Sequence, residues 1–313
     1  MPDWFNIVVI TFVSVSAGFG STDAKTNSGD EQCMPLELAP GVISSTGDEV
    51  FRGVYNPEQT EFAFFRSMPG QENYGIFVSH KKDLDWQKPN RVTFGSVHSD
   101  FYPAFSPDGR AMVFSSYRPI EPTSTRSANA NLWQSSKTPN GWSMPKYLAN
   151  ISTPDQYDNR VHFLDDATLR FSSTSADWSE SMEYVAQIAD DGSFHQPNID
   201  AARNQFRVWA ARHNNIHLWN SDLTPDGNLA VIEVSETSQD GRPGPADLWF
   251  SKKSGEVWSE PKPILPSVNT EGEDENFPTF TSDGKTMTFV RGFRAFYSIA
   301  VSCVVSESRS ETD

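Results

Sequence analysis

DFYPAFSPDGRAMVFSSYR, residues 100–118, places the tetrapeptide SPDG between two short runs of alternating residues. Serine at the first position, proline at the second and glycine at the fourth each suit a type I turn. Alternating runs on both sides of such a turn predict a β-hairpin. The same hairpin pattern surrounds TPDG at 224–227 and TSDG at 281–284. The stretch is therefore one copy of a repeated unit.

Two further copies, at 51–67 and 158–173, keep the hairpin pattern but lack the turn glycine. The aligned turn positions lie roughly 50 to 60 residues apart, a spacing that suits one four-stranded sheet each, at Pro57, Pro107, Leu164, Pro225 and Ser282. A third strand follows the hairpin in all five units, and a fourth element follows in four of them. The fifth unit lacks this outer element because the chain ends.

The outer strand missing from the fifth unit is found before the first unit. Residues 35–55 align without a gap to residues 261–281, from a shared proline to a shared aromatic position. The sequence therefore predicts an all-β chain, with a five-bladed β-propeller at 35–304 that is closed by its own N-terminal strand. Radial closure of this kind leaves no long unpaired strand edge.

The two cysteines test this closure. In the same alignment, Cys33 and Cys303 fall on positions that face each other across a hairpin in a complete blade. We expect a disulfide between them, which would replace the missing covalent turn and would suit an oxidising compartment. The alternative is a pair of buried free thiols.

The repeat resembles the TolB-type propeller repeat of exported bacterial proteins, in which an acidic residue, proline and an aromatic precede SPDG and a hydrophobic strand. The best copies are residues 100–118 and 275–291, and the resemblance covers roughly residues 35–304. It implies a propeller fold and is nearly silent on activity. TolB itself resembles a six-bladed propeller, so six blades are the alternative to the five counted here.

Charge and the ends of the sequence bound the location and the partners. The formal net charge of −16 repels phosphate backbones, so we expect no nucleic-acid partner. The apolar run 7–15, followed by small residues, predicts a signal peptide at 1–17; a buried first strand is the alternative. We expect a linker at 18–34, a disordered tail at 305–313, a monomer without stable membrane insertion, and a periplasmic or secreted location.

The loops opposite the PDG turns are long and polar, so we expect ligands to bind on that face, the long-loop face. Side chains near the starts of the first strands are the candidate ligand-binding residues: Glu49, Asp100, Tyr102, Asp158, Arg160, His162, Asp222 and Glu275. Converging carboxylates attract hard cations, so calcium is the one cofactor considered. Alternatively, the acids hydrogen-bond neighbouring backbone amides. Trp178, in a long loop, is a candidate for stacking on a sugar or peptide.

The motifs of common enzymes are absent: no GxSxG, P-loop or dinucleotide fingerprint occurs, and no catalytic residue is assigned. We therefore expect a noncatalytic exported scaffold that binds a protein or an envelope polymer through its acidic long-loop face. The alternative is a carbohydrate-active enzyme, either a glycoside hydrolase or a polysaccharide lyase. Its paired channel carboxylates would act as acid and as nucleophile or base.

Overall fold

Five antiparallel sheets form the part of the chain that the computed structural model describes, which is residues 33–305 apart from 45–46, 68–72, 96, 122–123, 179 and 239. The predicted signal peptide, most of the predicted linker and most of the predicted tail lie outside the described residues. Each sheet is one blade of a five-bladed β-propeller, which confirms the predicted fold and the predicted count.

The first three blades follow a short strand, β1 (Leu36–Glu37). Blade 1 contains β2 (Val50–Tyr55), β3 (Glu61–Ser67), β4 (Tyr74–Lys82), β5 (Asp85–Trp86) and β6 (Asn90–Arg91). Blade 2 contains β7 (Asp100–Phe105), β8 (Ala111–Ser116), β9 (Asn131–Thr138), β10 (Gly141–Trp142) and β11 (Lys146–Tyr147). Blade 3 contains β12 (Gln156–Asp165), β13 (Thr168–Ser175), β14 (Ser181–Gln187) and β15 (Asn198–Ile199).

A helix, α1 (Ala201–Ala211), separates blade 3 from blade 4. Blade 4 contains β16 (Ile216–Leu223), β17 (Leu229–Thr237), β18 (Pro243–Ser254), β19 (Val257–Trp258) and β20 (Lys262–Pro263). Blade 5 contains β21 (Glu275–Phe280), β22 (Thr286–Arg291) and β23 (Ala295–Ala300), followed by the short helix α2 (Val301–Val304). Within the described residues, neither helix is long and apolar enough to cross a bilayer.

The ring closes as the sequence predicts. Strand β1 pairs antiparallel with β23, with Leu36 opposite Ser298 and Glu37 opposite Tyr297. The N-terminal segment therefore supplies the outer strand of blade 5, in the order β1-β23-β22-β21. Cys33 and Cys303 form the predicted disulfide, with their Cα atoms 5.4 Å apart and 270 positions between them in sequence.

The PDG turns are held by their own side chains. Ser106 Oγ donates to Asp108 Oδ1 at 2.6 Å and accepts from the backbone N–H of Ala111 at 2.8 Å. Gly109 has a φ of 67°, a left-handed conformation that glycine adopts without strain. The turns at 224–227 and 281–284 repeat this arrangement, so the recurring tetrapeptide is a structural element and not a coincidence of letters.

Apolar side chains fill the space between neighbouring blades, and the contact between blades 1 and 5 shows how tightly. The ring of Phe296 lies 5.0 Å from that of Phe62 and 5.2 Å from that of Phe64, centroid to centroid, and all three side chains are fully buried. A β-carbon at Gly53 would overlap the Phe62 ring and would lie 2.9 Å from Phe296 Cε1. Only glycine therefore fits at that position.

Helix α1 was not predicted. The fourth element expected from Ser193 is present, because Phe194 bridges Ile188 and β15 pairs with β14, and the helix begins directly after it. Asp200 caps the helix, because its side chain accepts from the backbone N–H of Arg203 at 3.2 Å. Phe206 and Ala210 then bury one face of the helix. A capping residue followed by helix-forming residues therefore makes the connection between blades 3 and 4 helical.

Candidate functional site

The first strands of the five blades surround the central channel, and a bulge interrupts the pairing in each of them. At three of these bulges a residue other than glycine has a positive φ: 51° at Tyr102, 54° at Arg160 and 55° at Phe277. A bulge re-aims a side chain and disrupts the local ladder. The bulge recurs in the first strand of every blade, so it is a regular feature of this fold. It determines which side chains point into the channel.

Arg52 joins three blades at the centre of the ring. Its side chain extends from blade 1. Its Nη1 donates to the carbonyl oxygen of Val161 in blade 3 at 2.8 Å and to that of Pro103 in blade 2 at 3.3 Å. The residue is only 2% exposed. Burial lowers the pKa of its guanidinium, and the charge of Asp222 raises it. Arginine nevertheless keeps its charge in proteins, so a buried cation lies between the first strands of blades 1, 2 and 3.

His162 and Asp222 meet beside this cation. His162 Nδ1 lies 3.7 Å from Asp222 Oδ2. Asp222 is 4% exposed and accepts the N–H of Leu223 with its other oxygen, at 2.9 Å. Among the described residues, neither Asp222 Oδ2 nor His162 Nε2 has a hydrogen-bond partner. Burial lowers the pKa of His162 to about 4, so the imidazole is neutral at pH 7, and one of its ring nitrogens can accept a hydrogen bond.

Glu233 is the second ionisable acid of the channel. It is 5% exposed, and its Oε2 accepts the backbone N–H of Phe277 at 2.8 Å. Burial raises its pKa to about 7, against the opposing influence of this hydrogen bond and of Arg160. A carboxyl group with a pKa near the working pH can both donate and accept a proton in a reaction.

Helix α1 supplies two arginines that contact Glu183, on the third strand of blade 3. Glu183 accepts from Ser172 Oγ at 2.6 Å and from Arg203 Nη1 at 3.1 Å, and Arg207 contacts its other oxygen. Burial raises the pKa of Glu183, but these cations outweigh it and hold the pKa below its usual range. Arg203 also donates from Nε to Ser221 Oγ at 3.1 Å. The helix therefore builds a fixed ion-pair network between blades 3 and 4.

A large cavity, with a volume of about 570 Å³, opens on the face of the PDG turns. Its wall is formed by the ends of first strands and by turn residues, among them Val54, Pro57, Ala104, Pro107, His162, Phe163, Pro225 and Phe280. His162 is the one residue of the cavity wall that belongs to the ionisable group described above. The cavity therefore leads from solvent to the His162–Asp222 pair.

At the long-loop end of the channel, aromatic rings from blades 1, 2 and 5 pack against one another. Phe51 lies 5.0 Å from Phe65, 6.2 Å from Phe277 and 5.6 Å from Phe293, and Tyr102 lies 6.1 Å from Phe277, measured between ring centroids. We predicted ligand binding on this face, and that remains a prediction. The large cavity lies on the opposite face.

The eight predicted binding residues fall into three groups. Tyr102, Arg160, His162 and Asp222 come together around the channel: Tyr102 hydrogen-bonds Arg160, and Asp222 neighbours His162. Glu49, at the rim, accepts from Ser67 Oγ at 3.1 Å. The remaining three, Asp100, Asp158 and Glu275, bond within their own blades.

These three acids stand near the start of the first strand in blades 2, 3 and 5. Asp100 accepts from Ser116 Oγ at 2.6 Å and from Arg118 Nη2 at 2.8 Å. Asp158 accepts from Ser152 and Ser173 hydroxyls, and Glu275 accepts from Arg291 Nε at 2.8 Å. All three are at most 1% exposed. The three acids are therefore engaged in hydrogen bonds with nearby groups of the protein, which is the kind of role that the alternative interpretation gave them. A ligand-binding role for them stays a prediction.

Trp178, the predicted loop aromatic, is 67% exposed. Its ring lies 5.0 Å from that of Tyr157, and its φ of 62° is positive. The side chain is therefore held at the surface by one aromatic neighbour and offers most of its area to solvent. Its stacking on a ligand remains a prediction.

The sequence analysis missed four charged residues of the channel: Arg52, Glu183, Arg203 and Glu233. A signal for two of them is visible in hindsight. Arg52 stands inside VFRGVY and Glu233 inside LAVIEVS, so each interrupts a strand that is otherwise largely apolar. A charge at such a position is costly unless it has a partner or a function. Arg203 lies on helix α1, so its place in the site could be predicted only if the helix itself were predicted.

No group of three or more His, Cys, Asp or Glu side chains is placed to hold a metal ion within the described residues. A calcium site, if one exists, would have to draw on other oxygen ligands such as backbone carbonyls. Calcium binding therefore stays a prediction.

No family model matches this sequence, and no curated protein matches it either, so the TolB-type resemblance stays a prediction. Three similar solved structures illustrate the range. An endo-arabinase from Bacteroides thetaiotaomicron VPI-5482 is 11% identical, with 83% of this chain and 96% of that chain covered and a TM-score of 0.49. The catalytic domain of a Coprinopsis cinerea GH62 α-L-arabinofuranosidase is 14% identical, with 88% and 99% covered and a TM-score of 0.45.

The third is a structure from a study of two prolyl endopeptidases, at 11% identity and a TM-score of 0.42, with 83% of this chain covered. This chain spans only 42% of the length of that protein. Most of the similar structures are enzymes, and this finding overturns our expectation of a noncatalytic scaffold, which was wrong. At such low identity the likeness shows the fold alone, so any assignment of chemistry rests on the residues of the channel.

Proposed function

We propose that this protein is a carbohydrate-active hydrolase or lyase whose reaction takes place at the inner end of the large cavity. The observation that carries the proposal is the buried Asp222 carboxyl, whose Oδ2 has no hydrogen-bond partner among the described residues and faces His162 at 3.7 Å. Leaving a buried acceptor unsatisfied costs free energy. Such groups are kept where a reaction needs them.

The ionisable groups can share the work of bond cleavage. In hydrolysis, one carboxyl protonates the glycosidic oxygen and a second group activates water or attacks the sugar. Glu233, with its pKa of about 7, suits the acid, and the Asp222 carboxylate suits the base. In elimination, the same base would remove a carbon-bound proton. Both reactions need one proton donor and one proton acceptor.

We propose an extracellular or periplasmic location for this enzyme. The disulfide between Cys33 and Cys303 supports it, since disulfides persist in oxidising compartments. Polysaccharides outside the cell are the substrates that such a location offers, whether they come from an envelope or from the surroundings.

Turnover of a glycan panel tests the proposal. The purified protein should cleave at least one glycan, and Asp222→Asn should lower kcat/KM about 100-fold or more, which is the usual contribution of a general base. Glu233→Gln should lower it by a similar factor. Asp190→Asn is the matched control, because Asp190 is an exposed carboxylate far along the chain from either residue.

The fold of each variant is checked by its melting temperature and by the intact disulfide. Cleavage by the Asp222→Asn variant at the rate of the unchanged protein would remove Asp222 from the mechanism. A protein that cleaves none of a broad panel of neutral and acidic glycans would contradict the proposed function itself.

A further inference from the structure

We infer that the substrate is an uncharged polysaccharide chain that is hydrolysed at an internal bond, and that the chain lies along a groove running outward from the large cavity between blades 2 and 3. This rests on the proposed function, since it takes the substrate to be a carbohydrate. It adds where the rest of the chain is held and which residues hold it.

A second cavity, with a volume of about 390 Å³, adjoins the large one. The walls of both cavities include Ser106, Pro107, Phe163 and Asp166. Because the two cavities share these residues, they are two parts of one depression on the face of the PDG turns. The second part, bounded by Ala111 and Gln134 of blade 2 and by Ile188 and Phe194 of blade 3, is called the radial groove below.

The radial groove leads from the channel toward the outside of the ring. Its blade 3 wall begins at Phe163 on the first strand and ends at Ile188 and Phe194, which bridge each other beyond the third strand. Its blade 2 wall passes from Ala111 on the second strand to Gln134 on the third. Neighbouring strands lie roughly 4.8 Å apart, so the groove crosses about 14 Å of blade 3. That length exceeds a single sugar ring.

Blade 3 departs from the repeat at this groove. Asp166 stands where the turns of blades 2, 4 and 5 carry Gly109, Gly227 and Gly284, and it lines both cavities. The preceding Asp165 holds the altered turn, because its Oδ1 accepts the N–H of Ala167 at 2.9 Å. Places where one element breaks a rule that its counterparts follow are places where function is expected.

The wall of the groove suits a sugar chain. Phe163 lies where the two cavities join, and its ring packs against the core of blade 3 while the residue stays partly exposed. A sugar ring has apolar C–H faces that pack on an aromatic ring and hydroxyl groups at its edge. Gln134 in the groove and Gln187 in the large cavity carry amides that donate and accept hydrogen bonds. A few polar groups on an apolar wall are typical of ligand sites.

The charge of the two cavities indicates an uncharged chain. Among the described residues, neither wall includes a lysine or an arginine. Asp108, Asp165 and Asp166 lie on these walls and are exposed. A chain of uronic acids or sulfated sugars would meet like charges there, in addition to the net charge of −16.

The large cavity leaves room for the chain on the other side of the reacting bond. It extends from His162 and Phe163 to Pro57, Pro225 and Ser282, in the turns of blades 1, 4 and 5. A chain that fills the radial groove therefore continues past His162 across the mouth of the channel. With sugar units held on both sides, cleavage falls at an internal bond.

An uncharged chain also selects hydrolysis over elimination, because elimination removes a proton next to a carboxylate. Glu233 would give its proton to the glycosidic oxygen, which leaves as a hydroxyl group on one fragment. The oxygen of a water molecule would bond to the anomeric carbon of the other fragment and pass a proton to Asp222. Both fragments are then saturated, and one new reducing end appears for each bond cleaved.

Turnover of a length series is the first measurement, with dimers to hexamers of arabinose, xylose, mannose and glucose as probes. For the glycan that is cleaved, kcat/KM should rise about tenfold or more from dimer to hexamer, the order of gain expected from stacked rings. The first products of the hexamer should be internal fragments with saturated ends. Equal kcat/KM for dimer and hexamer, release of single sugars only, or unsaturated products would overturn the inference.

A substitution that fills the groove tests its place. Ala111→Trp should lower kcat/KM for the hexamer about tenfold more than for the dimer, because Ala111 lines the radial groove and not the large cavity. Thr286→Trp is the matched control. Thr286 is likewise the partly buried first residue of the second strand in its blade, and it lies on the wall of neither cavity. An equal loss in the control, or no loss in Ala111→Trp, would contradict the placement.

Phe163→Leu tests the stacking without emptying the core. Leucine keeps an apolar side chain but lacks the flat face, so KM for the hexamer should rise about three- to tenfold. The melting temperature and the intact disulfide check the fold of each variant. A KM equal to that of the unchanged protein would remove Phe163 from chain binding.

The two proposals fail in different ways. Hydrolysis that depends on Asp222 but not on chain length would keep the proposed function and overturn the groove. Binding that strengthens with chain length in calorimetry and is lost in Ala111→Trp, without turnover of any glycan, would keep the groove as a chain-binding site and overturn the proposed enzyme. A length-dependent preference for oligogalacturonic acids over the neutral probes would overturn the commitment to an uncharged chain.

Discussion

Replacing Cys33 and Cys303 by serine should lower the stability of the ring by an amount that the structure allows us to estimate. The disulfide closes a loop of 270 residues. In the chain-entropy model, removing a cross-link over such a loop lowers the free energy of unfolding by about 5 to 6 kcal/mol, because the unfolded chain gains freedom. With about 2 cal/mol/K of unfolding entropy per residue, the melting temperature should fall by roughly 10 °C.

The variant should still fold, because the closure keeps its noncovalent contacts. The backbone N–H of Leu38 donates to Phe296 O at 2.8 Å, and Ile43 stays buried against blade 5. Urea denaturation followed by tryptophan fluorescence measures the change, and the m-value should rise because a chain without the cross-link exposes more surface. The unchanged protein, unfolded and refolded with a reductant present, is the control and should match the variant.

A loss of less than about 1 kcal/mol would refute this reasoning. It would mean that the unfolded chain is held compact by other interactions, or that β1 leaves blade 5 before the rest of the ring unfolds. Proteolysis within residues 33–44 under native conditions separates these two outcomes.

Three further predictions concern single residues. Asp100→Asn leaves the Arg118 guanidinium without its buried carboxylate, so the free energy of unfolding should fall by about 3 kcal/mol in urea denaturation; an unchanged midpoint would contradict this. Glu233 and His162 should give opposite pH dependences. Because the pKa of Glu233 is raised, its contribution to the free energy of unfolding is favourable below about pH 4.5 and is lost as pH rises to about 7. Because the pKa of His162 is lowered, its contribution is lost as pH falls from about 6.5 to about 4. The Glu233→Gln variant should therefore gain stability relative to the unchanged protein as pH rises, by about 3 kcal/mol in total, and His162→Gln should gain it as pH falls; identical profiles for the two variants would contradict both assignments. Gly53→Ala forces a methyl group against two buried phenylalanine rings and should cost about 1 to 3 kcal/mol, and a melting temperature equal to that of the unchanged protein would show that the two blades can separate.

Much of the fold could be predicted because its information is local and repeated. The turn at Ser106–Gly109 is specified by side chains that bond within the same four or five residues, so the hairpin is visible in the sequence. The pairing of β1 with β23 followed from matching an incomplete unit to a complete one, and the cysteine pair followed from the same match. Helix α1 escaped because it lies in the connection between two blades, where Asp200 starts a helix that no other unit contains.

The candidate site could be predicted only in part. Tyr102, Arg160, His162 and Asp222 were named because they lie in the first strands. Asp100, which resembles them in sequence, bonds to the second strand of its own blade instead. Which way a side chain points after a bulge depends on the register of the pairing strand, and a single sequence does not display that register. Arg52 and Glu233 were missed because their partners come from other blades, far away in sequence.

The way the ring is closed also sets the order in which the domain can be completed during synthesis. Strand β1 emerges from the ribosome before any blade, and its partner β23 emerges after all of them. Blades 1 to 4 consist of consecutive strands, so each can assemble as soon as its own residues are available. The final contact, between β1 and β23, joins residues that are far apart in sequence. Contacts of this kind form slowly during folding. A nascent chain arrested before Ala295 should therefore be an open arc whose β22 edge is unpaired, and that exposed edge is where assistance from a chaperone would matter most.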